Sequence, residues 1–136
     1  MEITYRTGRH CVFMLHCHLI FVTKYRGKIF NDEHLHTLEG IIRNVCEQFE
    51  CELQEFNGES DHVHMLLNFP PKVSISKLVN SLKGVSSRKM KLHHPELHQP
   101  AWKSDALWSP SYFAGSVGGA PLEVIKKYIE DQNRPH

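Results

Sequence analysis

The period of the apolar residues switches along the chain from strand-like to helix-like and back, and this order limits the possible folds. Residues 12–23 read VFMLHCHLIFVT, a β-branched and aromatic run that alternates like a half-buried strand. Residues 51–57 and 61–69 also alternate, and they flank Asn57-Gly58, a pair that favours a tight hairpin turn. The sequence therefore predicts a strand near the N-terminus and an antiparallel pair farther along.

Helical spacing fills the intervals between these strands. Asn31 or Asp32 can cap a helix whose apolar residues recur to about Phe49. A second amphipathic helix begins near Ser74 and carries apolar residues on one face and lysines on the other. Each of these two helices is expected to pack its apolar face on the sheet.

The C-terminal third adds one strand and one helix. The stretch 107–117 is predicted to be a strand that stops at Gly118-Gly119. A last helix covers 121–133, with Pro121 at a permitted first-turn position. The predicted order is β-α-β-β-α-β followed by a helix, which indicates an α+β, ferredoxin-like (RRM-like) antiparallel sheet with two helices on one face.

Length and composition exclude several classes of protein. A chain of 136 residues with 40% hydrophobic residues is expected to form a single domain, residues 1–136. The longest apolar stretch is far shorter than the roughly 20 residues of a membrane span, and the N-terminus lacks an apolar signal core. The four cysteines form no C-x-x-C pair. We therefore expect a cytoplasmic protein with no membrane partner.

The charge is unevenly distributed although the net charge is only +1. Residues 72–91 contain six basic side chains and no acidic one, whereas residues 30–61 carry a large acidic excess. Such separation indicates one positive and one negative face, and a positive face is typical of nucleic-acid binding. A solvated basic helix without a partner is the alternative.

Three His-x-His pairs occur in the sequence, and geometry separates them. His34 and His36 fall on a predicted helix, where i and i+2 point about 200° apart, so we expect them to be exposed and unable to share a metal. His62 and His64 fall on a predicted strand and project from one face.

His16 and His18 satisfy the same strand rule, so four imidazoles could share the open face of adjacent strands. A surface or structural role remains the alternative for each of these strand histidines.

Two imidazoles leave a metal under-coordinated, so a third ligand, with an oxygen donor, is expected. The last helix offers a candidate in Gln132, and Tyr128 lies one turn before it on the same helix face. A tyrosine hydroxyl beside a metal-bound phosphate could attack the phosphorus. Packing of Tyr128 on the sheet and solvent exposure of Gln132 are the alternatives, and these residues alone leave both open.

Four stretches extend these observations to most of the chain. They read HLIFVTKYRGKIF (18–30), SDHVHMLLNFPP (60–71), SISKLVNSLKGVSSRKMK (74–91) and LWSPSYFAGSVGGAPLEVIKKYIEDQ (107–132). In these stretches the chain resembles the small TnpA-type single-tyrosine transposases of bacterial and archaeal insertion sequences, members of the HUH (His-hydrophobe-His) nuclease superfamily.

The resemblance implies a role for each of the candidate site residues. His62 and His64 would be metal ligands, with Gln132 as the third. Tyr128 would attack single-stranded DNA at the insertion-sequence ends and stay joined to the 5′ phosphate. Mixed nitrogen and oxygen ligands and a phosphate substrate favour Mg²⁺ or Mn²⁺ as the divalent metal.

The resemblance also implies partners. The chain would form a homodimer with composite active sites, in which the tyrosine helix of one subunit meets the histidines of the other, and it would recognise DNA hairpins. His18 matches a recurrent family position, and His16 and His18 are possible accessory residues. The residues predicted to bind DNA are all basic: Lys24, Arg26, Lys28, Lys83, Arg88, Lys89 and Lys91.

Three other functions compete with this interpretation. A domesticated nickase acting on repeated hairpins would have nearly the same sequence features. A non-catalytic ferredoxin-like module would bind nucleic acid through exposed aromatic residues on its sheet instead of a metal site. In a histidine-rich protein for metal storage or sensing, His62→Ala should lower metal binding no more than His34→Ala does.

Overall fold

A computed structural model describes residues 5–97, 106–116 and 122–132, and for residues 122–125 it describes the backbone alone. In chain order the strands and α-helices are β1 Arg6–Thr7, β2 Val12–Phe13, β3 His16–Val22, α1 Asp32–Gln48, β4 Glu52–Gly58, β5 His62–Asn68, α2 Ile75–His93, β6 Phe113–Ser116 and α3 Leu122–Asp131.

Four of the strands form one antiparallel sheet with the order β4-β5-β3-β6. The first long strand of the chain, β3, therefore lies beside the third, β5, with β4 and β6 at the edges. This β-α-β-β-α-β arrangement confirms the predicted α+β fold class with an antiparallel sheet.

Helices α1 and α2 pack together on one face of the sheet. Side chains that alternate along β3 and β5 meet the apolar stripes of both helices, and the central members of this core have 0% exposure: Leu19, Phe21, Leu38, Met65 and Leu82. Asn31 caps α1, because its side-chain oxygen accepts a hydrogen bond from the His34 backbone N–H. The core therefore occupies one side of the sheet, and the strand histidines lie on the other.

The predicted strand over residues 12–23 is divided in the structure. Residues 12 and 13 turn back as β2 and pair with β1, and β3 begins only at His16. Arg6 holds this N-terminal hairpin to the sheet edge, because its guanidinium donates to the Asn68 side chain at 2.6 Å and to the Glu50 carbonyl at 3.0 Å. Alternation alone does not reveal that the chain changes partner within one apolar run.

The predicted antiparallel pair over 51–57 and 61–69 is confirmed by β4 and β5, but the tight turn does not lie at Asn57-Gly58. Both residues belong to the ladder, where Asn57 pairs with His64 and Gly58 with Val63, and the turn follows at residues 59–61. A Cβ added at Gly58 would meet a methyl of Leu35 on α1, which is the end of a flexible and partly exposed side chain. Glycine here admits the close approach of a helix side chain and does not mark the turn.

The predicted strand over 107–117 is shorter than expected. Trp108 makes an isolated bridge to Thr23, and regular pairing resumes only in β6. Pro110 has no N–H to donate, and the carbonyls of Ser109 and Ser111 are taken by the side chain of Lys83. The predicted strand end at Val117 and the predicted helix limits at Pro121 and Asn133 lie outside the described residues.

Among the described residues, no helix is both long enough and apolar enough to cross a membrane.

The alternation along β5 gives a stability prediction. Met65 is fully buried beneath α1 and α2, so Met65→Ala should lower the free energy of unfolding by about 2–5 kcal/mol through the cavity it leaves. Leu66 lies on the opposite face and is half-buried, so Leu66→Ala should cost less. Urea unfolding measures both, and equal losses would show that the two faces are wrongly assigned.

Candidate active site

The two histidines of β5 project from the sheet face opposite the α1 and α2 core. His62 pairs with Val22 and His64 with Ile20, while the intervening Val63 is fully buried on the core side. This is the arrangement that the two-residue period predicts. Both imidazoles are half-buried.

Asp61 orients the first of these imidazoles. Its Oδ1 lies 2.8 Å from His62 Nδ1, and its Oδ2 accepts a hydrogen bond from Arg26 Nε at 3.0 Å. Burial alone would raise the pKa of the Asp61 carboxyl, but the hydrogen bonds from His62 and Arg26 outweigh burial and the pKa is lowered. A carboxylate at Nδ1 accepts a hydrogen bond from the Nδ1–H, which fixes the proton there and leaves the His62 Nε2 lone pair free for a metal ion.

The turn that carries Asp61 is anchored by backbone hydrogen bonds. The Asp61 carbonyl accepts from Thr23 N–H at 2.9 Å and from Thr23 Oγ1 at 3.1 Å. The neighbouring Tyr25 and Arg26 have φ of 57° and 55°, in the left-handed region that non-glycine residues rarely adopt. This backbone conformation brings the Arg26 guanidinium to the Asp61 carboxylate, so the strained turn contributes directly to the site.

His64 contacts a third imidazole. His18 Nδ1 and His64 Nε2 are 2.9 Å apart, and their ring centroids are separated by 5.0 Å. Burial lowers the pKa of His64, and the nearby His18 lowers it further, so His64 is neutral near pH 7. Because a metal ligand must be neutral, this environment suits His64 for metal binding, and it keeps His18 beside the site as an accessory residue.

His16 lies away from this pair. It pairs with Asn68, six residues along β3 from Val22, the partner of His62. Six strand residues span about 20 Å. His16 is therefore well separated from His62, and its role as an accessory residue stays a prediction.

A cavity of about 540 Å³ opens beside the two β5 histidines. Its walls come from the 26–28 turn, the β4–β5 turn and α3. The lining side chains are Arg26, Lys28, Asn57, Glu59, Ser60, Asp61, His62, His64, Lys126, Ile129 and Glu130, with Gly58 completing the wall. The lining contains three basic side chains (Arg26, Lys28 and Lys126) and three acidic ones (Glu59, Asp61 and Glu130). Arg26 is paired with Asp61, so Lys28 and Lys126 are the lining cations that could meet an anionic substrate.

Tyr128 and Gln132 are not among the lining residues of this cavity. On α3, Tyr128 is two residues, about 200° of helical rotation, from both Lys126 and Glu130, and one residue, about 100°, from Ile129, which also lines the cavity. Its hydroxyl lies 2.9 Å from Ser111 Oγ, and its ring centroid lies 5.8 Å from that of Phe113. Burial raises the pKa of the Tyr128 phenol, and the hydrogen bond with Ser111 offsets part of that rise.

Gln132 shares this second face of α3, as the i and i+4 spacing predicts. Its side chain is buried, and its Oε1 accepts a hydrogen bond from Ser109 Oγ at 2.9 Å. The alternative that Gln132 is simply exposed was wrong. The structure thus brings His62 and His64 together and holds Tyr128 and Gln132 together, but it does not join the two pairs within one chain.

The predicted DNA-binding residues have different surroundings. Arg26 and Lys28 line the cavity, and Lys24 lies over the Tyr25 ring with its Nζ 5.4 Å from the centroid. On α2, Arg88 is exposed and Lys89 and Lys91 are partly exposed. Lys83 differs, because its Nζ contacts three backbone carbonyls and is not free for a phosphate.

A second cluster of potential ligands lies between α1 and the end of α2. His34 Nε2 and His94 Nδ1 lie 2.9 Å and 3.3 Å from Glu96 Oε1, and these groups are close enough to hold a metal ion. His34 Nδ1 accepts from the Asn31 N–H at 3.1 Å, which requires its Nε2 to carry a proton directed at Glu96. The cluster is therefore hydrogen-bonded as a structural clamp. It also shows that the expected exposure of His34 was wrong, since His34 is buried.

The donor set at the cavity fits a divalent cation such as Mg²⁺ or Mn²⁺. His62 Nε2 is free of hydrogen bonds within the described part of the chain, and its Nδ1 is held by a carboxylate. His64 is neutral, but its Nε2 would have to exchange the 2.9 Å contact with His18 Nδ1 for a metal ion. These are the usual requirements of an imidazole ligand pair. The oxygen donor of Gln132 would come from the other face of α3.

Four residues with a place at the site were not identified from the sequence. Asp61 could have been found, because it precedes His62 directly. Ser109 and Ser111 flank Pro110, and no local pattern links them to α3. Glu130 lines the cavity, and its position two residues after Tyr128 was the available signal.

The chain matches known proteins over most of its length. The family described as "Transposase IS200 like" covers residues 11–132. The ISDra2 transposase TnpA of Deinococcus radiodurans is 35% identical over 133 residues, which are 98% of this chain and 94% of that protein. The transposase for insertion sequence element IS200 of Salmonella typhimurium is 32% identical over 115 residues, which are 85% of this chain and 74% of that protein.

Solved structures agree with this result. A crystal structure assigned to a transposase of Deinococcus radiodurans R1 superimposes with a TM-score of 0.83 and 37% identity, covering 93% of this chain and 97% of that chain. A REP-associated tyrosine transposase bound to a REP hairpin superimposes with a TM-score of 0.54 and 11% identity, covering 96% of this chain and 67% of that chain, and this likeness shows the fold alone. The resemblance drawn from the four sequence stretches is thereby confirmed: the chain belongs to the IS200-like family of Y1 transposases, enzymes that cleave and transfer DNA strands.

Proposed function

We propose that this transposase cuts and rejoins single-stranded DNA at the ends of its insertion sequence, with Tyr128 as the nucleophile. Its metal ligands are His62, His64 and Gln132. The observation that carries the proposal is the projection of His62 and His64 from one face of β5 into a cavity that α3 also lines. Family membership supplies the reaction class, and the cavity supplies a place for the scissile phosphate.

Mg²⁺ or Mn²⁺ at this site would polarise a non-bridging phosphate oxygen and orient the scissile phosphate for in-line attack. The residues of the chain prepare that position before DNA arrives. Asp61 holds the His62 ring in the tautomer that presents Nε2, and burial keeps His64 neutral. Arg26 and Lys28 contribute positive charge at the same cavity.

Tyr128 carries the covalent step. Its phenol loses a proton as its oxygen attacks phosphorus, the bond between phosphorus and the 3′ oxygen breaks, and the 3′ oxygen takes up a proton. One DNA end is then a 5′-phosphotyrosine and the other a free 3′ hydroxyl. Because burial raises the pKa of Tyr128, the phenol is protonated at neutral pH and this proton transfer is part of the reaction.

The second step reverses the first on a new strand. A phosphotyrosine ester retains the bond energy of the phosphodiester that it replaced, so a 3′ hydroxyl can attack it and release Tyr128. Cutting and rejoining therefore require no ATP. The same chemistry would serve a hairpin nickase, which differs in its target and not in its site.

A homodimer with composite sites accounts for the position of α3. Tyr128 and Gln132 lie on the face of α3 directed away from their own chain's histidines. A second copy could present its histidine pair to the partly exposed Tyr128, and the buried Gln132 would have to become accessible to complete the ligand set. The two halves of each site would then come from different subunits.

Single-stranded DNA with a hairpin is the proposed substrate, and its encounter with the enzyme would take place in the cytoplasm. Arg26, Lys28 and the exposed part of α2 around Arg88 offer positive charge for the phosphate backbone. The structural neighbour of the same fold is bound to a REP hairpin, which supports a hairpin as the test substrate.

The nucleophile can be tested by trapping the covalent adduct. With Mg²⁺ and a labelled single-stranded hairpin, the wild-type protein should form an adduct that survives denaturing electrophoresis. Tyr128→Phe should lower its yield by on the order of 10³-fold or more, because it removes the attacking oxygen. EDTA should abolish it.

Tyr5→Phe is the matched control, since Tyr5 is 66% exposed and far from α3 in sequence. It should form the adduct at the wild-type level. An adduct that persists in Tyr128→Phe would contradict the nucleophile assignment, and hairpin binding with no adduct in any variant would favour a non-catalytic binding module.

Asp61→Asn should lower Mn²⁺ affinity about 10- to 100-fold, because the neutral amide no longer fixes His62 in the metal-binding tautomer. Calorimetric titration of the DNA-free protein measures this effect. His94→Ala disrupts the second cluster and should leave Mn²⁺ affinity unchanged. If His94→Ala weakened binding and Asp61→Asn did not, the metal would belong to the His34, His94 and Glu96 cluster.

Mixing two inactive variants tests the composite site. A Tyr128→Phe chain combined with a His62→Ala chain should restore about a quarter of wild-type cleavage, because half the dimers are mixed and each has one intact site. Sites formed within single chains would leave the mixture as inactive as either variant alone.

A further inference from the structure

Lys83 is the basic residue of α2 whose charge is directed into the protein. Its Nζ donates to the carbonyls of Ser109 at 2.8 Å, Pro110 at 3.3 Å and Ser111 at 2.8 Å. The same Nζ lies 5.5 Å from the ring centroids of Phe21 and Tyr112. Burial lowers the pKa of Lys83 to about 8.

Three successive carbonyls that converge on one point repel each other unless a cation lies between them. The ammonium of Lys83 has three hydrogens, one for each carbonyl. We call residues 109–111 the serine platform. Its conformation thus depends on Lys83 more than on regular strand pairing.

The start of this segment is held by the same helix. Trp108 Nε1 donates to Ser86 Oγ at 2.9 Å, and Ser86 follows Lys83 by three residues on α2. The Ser109 N–H donates to the Val22 carbonyl at 2.7 Å. Helix α2 therefore fixes the segment from one side, while β3 fixes its backbone.

The serine platform in turn holds α3. Ser109 Oγ donates to Gln132 Oε1 at 2.9 Å, and Ser111 Oγ lies 2.9 Å from the Tyr128 hydroxyl. Ser109 and Ser111 of the platform therefore contact Gln132 and Tyr128, which lie one helical turn apart on α3. Both side chains are those to which the proposed function assigns chemistry.

We propose that Lys83 is a positioning residue for Tyr128 and Gln132 and not a DNA-phosphate contact. It acts through the serine platform, which sets the orientation of the phenol and the amide on α3. The inference rests on the proposed function for its kinetic consequence, but the hydrogen-bond relay from Lys83 to Gln132 can be tested without catalysis.

The kinetic test uses Lys83→Met, which keeps the length of the side chain and removes its charge. In single-turnover cleavage of the hairpin, the rate at saturating DNA should fall about 10- to 100-fold, as expected for a misplaced nucleophile. The dissociation constant for DNA should stay within twofold of wild type. Lys83→Arg, which keeps the charge and the donors, should recover part of the rate.

Two further comparisons separate positioning from a general loss of stability. If Lys83 acts through the platform, the fold loss of cleavage rate in the Lys83→Met, Ser111→Ala double variant should be smaller than the product of the fold losses in the two single variants. Lys77→Met, at an exposed position of the same helix outside the proposed DNA contacts, should leave the rate at saturation unchanged.

A measurement without DNA distinguishes a failure of the Lys83 inference from a failure of the proposed function. In NMR spectra, Lys83→Met should shift the Gln132 side-chain amide signals in the direction produced by Ser109→Ala. If wild type formed no adduct, the proposed function would fail while this shift still decided the relay. The inference is overturned by an unmoved Gln132 signal, by a wild-type or faster cleavage rate in Lys83→Met, or by a loss confined to DNA affinity.

Discussion

The antiparallel register of β3 and β5 is the constraint on which the site depends. Because Val22 pairs with His62, every other side chain of β5 lies on the face opposite α1 and α2. A slip of one residue would turn the imidazoles into the core and expose Val63 and Met65, both of which have 0% exposure. Burial of apolar side chains on one face therefore enforces the placement of the metal-binding candidates on the other.

The placement of Tyr128 and Gln132 depends on the charge of Lys83 and not on strand register. Lys83 gathers the carbonyls of residues 109–111, and the serines of that segment meet Tyr128 and Gln132. Partial burial of an ammonium is costly, as the lowered pKa of Lys83 shows, and three carbonyl acceptors with two flanking rings offset that cost. The chain thus retains an unfavourable partial burial beside the two α3 side chains to which the proposed function assigns chemistry.

The sequence predicted the parts of this arrangement that follow from periodicity. The shared face of His62 and His64 and the shared face of Tyr128 and Gln132 are consequences of periods of 2 and 3.6 residues. The contact of Gly58 with Leu35 could not be predicted in this way, because Leu35 is distant in sequence and adjacent only in the fold. Local pattern cannot distinguish a glycine that makes a turn from one that admits a neighbour.

Lys83 shows how a composition argument can override a better signal. The basic run of residues 72–91 favoured a DNA contact for Lys83 together with Arg88, Lys89 and Lys91. Yet Lys83 lies four residues after buried Val79 and three before buried Ser86, on the inward stripe of α2. Helical spacing separates Lys83 from exposed Arg88, and it would have predicted a buried amino group in need of acceptors.

Helix α3 has two chemically distinct faces: one lines the histidine cavity, and the other contacts the serine platform. Lys126 and Glu130 face the histidine cavity, while Tyr128 points about 200° away toward Ser111. Tyr128 does not line that cavity and its hydroxyl is held by Ser111, so the proposed function needs either a movement of α3 or a second copy that supplies the other half. Under the proposed composite arrangement, a single chain cannot cut DNA before it pairs, and strand cleavage is thereby tied to the assembly that also brings a second end within reach for rejoining.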